Sequence, residues 1–147
     1  MEHVVSSKVS KAIDKLEIFK TLDEETKDSL KEAGRFHAFA PGQVLVREGD
    51  VSGDLFLIDS GTVEIKTQSK GEKVALAELG PGDILGEVPA ITGVRRTSTA
   101  TAMEMVNAVI LPADLIKEIA DRDPEFKKTV LRLIEDRAVD TMSKTLS

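Results

Sequence analysis

Cysteine, tryptophan and tyrosine are absent from the 147 residues. Without cysteine there is no disulfide framework, no thiolate metal site and no thiol nucleophile. The large aromatics are five phenylalanines, so the core has to be built from aliphatic side chains. No apolar run approaches the roughly 20 residues that span a bilayer. The polar N-terminus lacks a signal-peptide core, which makes a cytoplasmic location the default expectation. Basic residues are outnumbered, with Lys and Arg totalling 20 against 26 Asp and Glu, and the net charge is −6. That balance argues against nucleic-acid binding through a basic surface. Glycine is missing from both ends: all ten lie between Gly34 and Gly93.

What is present is ordinary in amount and informative in placement. A hydrophobic fraction of 41% and a charged fraction of 31% suit a soluble globular chain, expected as a single domain over 1–147. Its parts are expected as N-terminal helices over 1–34, a turn-rich β region over 35–111 and C-terminal helices over 112–147. In the first part, Val9, Ile13 and Leu16 recur at helical spacing, and Ile18, Phe19 and Leu22 are set to pack on the body. A second helix is predicted from about Glu24 to Ala33. Either Thr21 or Asp23 supplies its N-cap, and Gly34 its C-terminal stop.

From Arg35 the period changes to two. Strands are predicted over 35–40, Val44–Val46, Leu55–Ile58, 62–67, Val74–Leu79, Ile84–Leu85, Ser98–Met103 and Val106–Leu111. Turn residues separate them: Pro41-Gly42, Glu48-Gly49-Asp50, Gly53-Asp54, Ser60-Gly61, Ser69 to Glu72, and Gly80-Pro81-Gly82-Asp83. About eight short strands close into a sandwich or a jelly-roll barrel, and periodicity does not choose between them. Pro112 is placed at the first position of a helix carrying Leu115, Ile116 and Ile119, and Asp123-Pro124 opens the last helix. That helix bears Phe126, Val130, Ile134, Ala138 and Met142 on one stripe. The stripe has three destinations: the domain's own core, a partner surface such as a homodimer, or closure over a ligand.

The densest chemistry lies between Leu85 and Ala100. Gly86 permits a tight turn, Pro89 is pre-set for a helical first turn, and Gly93 closes it. The start of such a turn offers free backbone N–H groups to an anion. Arg96 and the hydroxyls of Thr97, Ser98 and Thr99 return nine to twelve residues after Glu87. A guanidinium takes phosphate oxygens through paired N–H bonds, and a carboxylate takes hydroxyl donors. Together they suit a sugar phosphate. The plain alternative is a surface turn in which Glu87 and Arg96 pair with each other or with water.

The segment resembles the phosphate-binding cassette of cyclic nucleotide-binding domains, the type found in catabolite activator proteins, protein kinase A regulatory subunits and cyclic nucleotide-gated channels. That motif reads roughly Phe-Gly-Glu-(aliphatic)-(small)-(aliphatic), five variable positions, then Arg-(Ala/Thr)-(small). Gly86-Glu87-Val88-Pro89-Ala90 and, five residues on, Arg96-Thr97-Ser98 fall in register without a gap. The stretches Phe39 to Asp50, Leu55 to Val63 and Ile18 to Glu25 are similar to further blocks of the family in the same order. The resemblance covers about residues 15–137. It implies a mainly β fold with flanking helices (α+β), an eight-stranded jelly-roll β-barrel with the cassette at 85–98.

Carried across, the resemblance implies cAMP or cGMP as ligand, cAMP the more expected, with no other cofactor and no metal. Arg96 would hold the cyclic phosphate and Glu87 the ribose 2′-OH. Gly86 and Val88 would lie against the ribose phosphate, and Thr97 and Ser98 would add polar contacts. Ile65 and Leu79 would face the purine, and one of Leu133, Ile134 or Arg137 would cap it. Two positions depart from the pattern. Leu85 stands where Phe or Tyr is usual, and Pro89 withdraws an amide that some members donate to the phosphate.

The expected role is a regulatory sensor that acts through an unidentified protein effector, not an enzyme. Two histidines, His3 and His37, are too few for a metal-binding jelly roll, and no nucleophile elbow or Walker loop is present. The chain ends at Ser147 with no room for a helix-turn-helix after the last helix, so DNA is not an expected partner. Membrane insertion is not expected either. The alternatives are a ligand-free jelly-roll scaffold and a regulatory fragment of a larger channel, kinase or other effector.

Overall fold

The computed structural model describes residues 7–50, 53–69, 72–85 and 98–132. Side chains of residues 68, 69 and 72–76 are not among those described. Helix α1 covers Ser7–Lys15, a 3-10 turn covers Glu17–Phe19, and α2 covers Glu24–Ala33. Strands β1 to β8 follow at Arg35–Phe39, Val44–Val46, Leu55–Ser60, Val63–Ser69, Glu72–Leu79, Ile84–Leu85, Thr99–Ala102 and Val106–Leu111. Helix α3 is Ala113–Arg122, and α4 is described over 124–132.

The strands form two four-stranded sheets, ordered β1-β8-β3-β6 and β2-β7-β4-β5, and every recorded pairing is antiparallel. Apart from the β4–β5 hairpin, neighbours in each sheet are distant in sequence, which is the connectivity of a jelly roll. The expected mainly β fold with flanking helices is therefore what the chain adopts.

Burial explains the two kinds of strand seen in the sequence. In the first sheet, β3 and β8 are covered on both faces, while the edge strand β1 is largely exposed. Leu55, Leu57, Val109 and Leu111 point into a cluster with α1, α2, α3 and α4. Phe56, Ile58, Ala108 and Ile110 point the other way, into a cluster shared with the second sheet. A strand buried on both faces reads as an unbroken apolar run, as Leu55 to Ile58 does. The second sheet has one wet face. Val63, Ile65, Ala100 and Ala102 are buried, while Glu64, Lys66, Thr99 and Thr101 alternate with them and are half-exposed.

The helix ends choose between the two expected N-caps and shift one boundary. Asp23, not Thr21, is the N-cap of α2: its carboxylate accepts the Thr26 amide at 2.8 Å. Gly34 does end α2, but with φ −69°, so no left-handed conformation requires it. Space does: an added Cβ would come within 2.7 Å of Val9 Cγ1 and 3.0 Å of Leu111 Cδ2. Pro112 is one residue earlier than expected. It is the N-cap of α3, with extended backbone and no side chain to cap with. Asp54, immediately before β3, fills that role by accepting the Ala113 amide at 3.0 Å. Asp123 caps α4 as expected, taking the Phe126 amide at 3.1 Å.

The apolar stripe of the last helix goes first into the domain's own core. Phe126 and Val130 are 0% and 2% exposed in the helical cluster. Ile134, Ala138 and Met142 lie outside the described residues. Among the described residues, no helix is long and apolar enough to cross a membrane.

Candidate functional site

The candidate cassette begins at the end of β6 and ends at the start of β7. Leu85, in β6, pairs with Phe56 in the first sheet and is buried. Thr99, the first residue of β7, pairs with Lys66 in the second sheet, and Ala100 pairs with Ile65. The chain thus leaves one sheet and enters the other across this interval. Of the expected ligand-binding residues, Gly86, Glu87, Val88, Pro89, Arg96 and Thr97 lie outside the described residues, as do Leu133, Ile134 and Arg137. Ser98 is described and half-buried.

The two residues assigned to the purine come together. Ile65 and Leu79 are 8% and 6% exposed and belong to the cluster between the sheets, which Leu85 and Ala100 share. Ile65 pairs with Ala77 on β5 and with Ala100 on β7, and Leu79 pairs with Val63. Both cassette anchors therefore flank the same aliphatic wall. A wall of branched side chains takes the flat face of an aromatic ring by dispersion and exclusion of water. Beyond Ile65 the β4–β5 register shifts, since Lys66 pairs with Ala75 and Leu76 is left without a rung. Such a bulge re-aims the strand next to it.

Entry into the cassette is fixed by the turn at Gly80–Asp83. Proline at its second position and Gly82 at φ +91° make it a type II turn, closed by the Asp83 amide on the Gly80 carbonyl at 3.0 Å. The Asp83 carboxylate also accepts the Gly80 amide at 2.8 Å. The turn is then stitched to β3, with Gly82 donating to the Ile58 carbonyl and Ile58 donating to the Asp83 carbonyl. Ala40–Gln43 and Arg47–Asp50 repeat the device, each with a left-handed glycine and an i+3 side chain accepting the first amide.

The exit is held by residues whose part was not read from the sequence. The Glu48 amide donates to Thr99 Oγ1 at 2.9 Å, and the Thr67 hydroxyl donates to Glu48 Oε1 at 3.1 Å. Glu48-Gly49-Asp50 is legible as a turn, but a 51-residue separation between Glu48 and Thr99 leaves no local signal. Thr99 also changes place. The spacing groups it with the hydroxyls of Thr97 and Ser98, but it lies on the sheet face opposite Ile65 with its oxygen on the Glu48 amide. It lines a groove of about 450 Å³ on that outer face, beside Arg47, Glu48, Glu64, Lys66 and Thr67. Lys66 and Glu64 pair there at 3.1 Å. The groove and the aliphatic wall are on opposite sides of one sheet.

Comparison with known proteins agrees with this geometry. Residues 36–123 match the family described as the cyclic nucleotide-binding domain. The chain is 34% identical over 96 residues to "Lysophospholipase NTE1" of Cryptococcus neoformans, covering 65% of this chain and 6% of that protein. It is 32% identical over 116 residues to the "Anaerobic regulatory protein" of Haemophilus influenzae, covering 78% of this chain and 45% of that one. The chain thus spans less than half the length of these relatives. The fold is similar to that of the cAMP-bound regulatory domain of Toxoplasma gondii PKA, with a TM-score of 0.71 at 24% identity over 76% of this chain and 43% of that one. Set beside the jelly-roll strand order and the in-register cassette sequence, the match over residues 36–123 identifies the chain as a member of the cyclic nucleotide-binding domain family.

Proposed function

We propose that the chain is a cyclic nucleotide sensor, with cAMP preferred to cGMP. In this reading Arg96 takes the cyclic phosphate through its guanidinium, and Glu87 accepts from the ribose 2′-OH. Gly86 and Val88 lie along the ribose phosphate. Thr97 and Ser98 add polar contacts, and Ile65 and Leu79 form the wall for the purine. Pro89 offers no amide, so the guanidinium and the other cassette amides carry the phosphate.

The observation that carries the reading is the position of the cassette sequence. Gly86-Glu87 and Arg96-Thr97-Ser98 fall between β6 and β7, whose ends border the wall formed by Ile65 and Leu79. The cAMP held by the Toxoplasma neighbour favours that ligand. The signal leaves through α4, rooted at Phe126 and Val130, toward a protein effector or a second copy of the chain. The regulated output belongs to that effector, and no catalytic step is assigned to this domain.

Thermal unfolding with cAMP, cGMP and 5′-AMP tests the reading. A ligand at one hundred times its Kd stabilises the native state by about 2.7 kcal/mol. The expected order of the rise in Tm is cAMP first, cGMP second, and none for the open-chain 5′-AMP. No rise with either cyclic nucleotide at millimolar concentration leaves a ligand-free scaffold as the function.

A further inference from the structure

We infer that Glu48, Thr67 and Thr99 form a positioning relay that fixes where the cassette ends. Its consequence for affinity rests on the cyclic nucleotide reading above. The relay starts from a rigid turn. Asp50 donates its amide to the Arg47 carbonyl at 3.1 Å and accepts the Arg47 amide on its carboxylate at 3.0 Å, with Gly49 at φ +91°. This turn presents the Glu48 amide to the Thr99 hydroxyl at 2.9 Å. The Glu48 carboxylate in turn accepts the Thr67 hydroxyl at 3.1 Å. One residue therefore joins the end of β2, the start of β7 and the body of β4.

The bond to Thr99 substitutes for a missing backbone rung. β2 pairs with β7 at Val44↔Thr101 and Val46↔Ala100, so a bulge separates the two rungs and the recorded ladder ends at Ala100. Thr99 has a rung to Lys66 on the β4 side only. On the β2 side its side-chain oxygen takes the Glu48 amide. Arg96 lies three residues upstream, at most about 10 Å of extended chain. Thr99 thus sets the point from which the phosphate-binding guanidinium has to reach.

The test compares Thr99→Val with Thr99→Ser. Valine keeps the β-branched shape and removes the oxygen; serine keeps the oxygen. Two quantities are read on the whole chain: cAMP Kd, and amide hydrogen exchange of residues 86–100 without ligand. Loss of one solvent-accessible hydrogen bond corresponds to about a three- to tenfold change. Thr99→Val is expected to speed exchange over 86–100 and to raise Kd by that factor, with other segments unchanged and Thr99→Ser within about twofold of the parent on the same scale. Thr67→Val and Glu48→Ala are expected to act in the same direction without adding to each other, and Glu48→Gln to keep the parent values. Parent-like exchange in Thr99→Val overturns the relay, as does an equal rise in exchange across the whole chain. A parent protein that binds no cyclic nucleotide refutes the functional reading instead, and the exchange comparison still decides the relay.

Discussion

The rings of Phe19 and Phe126 stack with centroids 6.1 Å apart and 19° between their planes. Both are fully buried, one in the 3-10 turn ahead of α2 and the other in the first turn of α4. The stack fastens the N-terminal helices to the root of the last helix. It also assigns the beginning of the apolar stripe, Phe126 and Val130, to the core of the domain. In the proposed function, a signal leaving through α4 would pass this joint.

Removing the joint is expected to cost heavily. Phe126→Ala should destabilise the domain by about 3–5 kcal/mol, the range for emptying an aromatic core site, while Phe126→Leu should cost less than about 1.5 kcal/mol. Urea unfolding midpoints measure both. A parent-like midpoint for Phe126→Ala would show that α4 is not seated on Phe19.

Two glycines that look alike in sequence should respond differently. Gly61 has φ +92°, and a Cβ there would fall on the Met105 carbonyl oxygen and within 2.9 Å of the Val106 Cα. Gly82 has φ +91° and open space around it. Gly82→Ala therefore carries only the left-handed strain of about 1–2 kcal/mol. Gly61→Ala adds a clash with backbone that cannot rotate away, and is expected to cost clearly more than Gly82→Ala in the same unfolding assay. Equal midpoints would contradict the close approach of the β3–β4 and β7–β8 turns.

These cases mark what could be read from the sequence. The strands were legible because burial on one or two faces leaves a period of two or an unbroken apolar run, as in Val63 to Lys66 and Leu55 to Ile58. The α2 boundaries were legible because Asp23 and Gly34 are local signals. Contacts made across the fold were not. Nothing near Pro112 announces that Asp54 caps α3, and nothing near Thr99 announces Glu48. Gly34 was legible as a stop, but its reason is the nearness of Val9 and Leu111, which only the packed helices reveal. For the site, alternation marks Ile65 as sharing a face with Val63, but the assignment of Ile65 and Leu79 to the purine came from family resemblance. The pairing of cassette residues with parts of a ligand came from family resemblance, because spacing alone equally suits a charged surface turn.

Stability should fall at both ends of the pH range through two surface helix contacts. Hydrogen bonds from the Thr26 hydroxyl and amide, helped by the Arg122 charge, hold the Asp23 carboxyl below its ordinary value of 3.8. A lowered folded value means the contribution is present above the unfolded pKa and is lost as pH falls through the folded one. Lys31 is raised above 10.5 by its hydrogen bond to Asp14, with Nζ and Oδ1 2.8 Å apart. Its contribution is full below the ordinary lysine value and is lost as pH rises through the folded one. Asparagine is also a good N-cap. Asp23→Asn is therefore expected to unfold near the parent midpoint at neutral pH and to lose less stability below about pH 4, where aspartate takes up its proton. A parent-like acid slope in Asp23→Asn would remove Asp23 from the account.

In the proposed function Arg96 binds a cyclic phosphate. Isothermal titration of cAMP into the parent chain and into Arg96→Ala tests it most directly. Saturable one-site binding to the parent is expected, with a loss of about 2–5 kcal/mol in Arg96→Ala, the usual consequence of truncating one partner of a desolvated charge pair. Equal affinity of the two proteins for cAMP would contradict it.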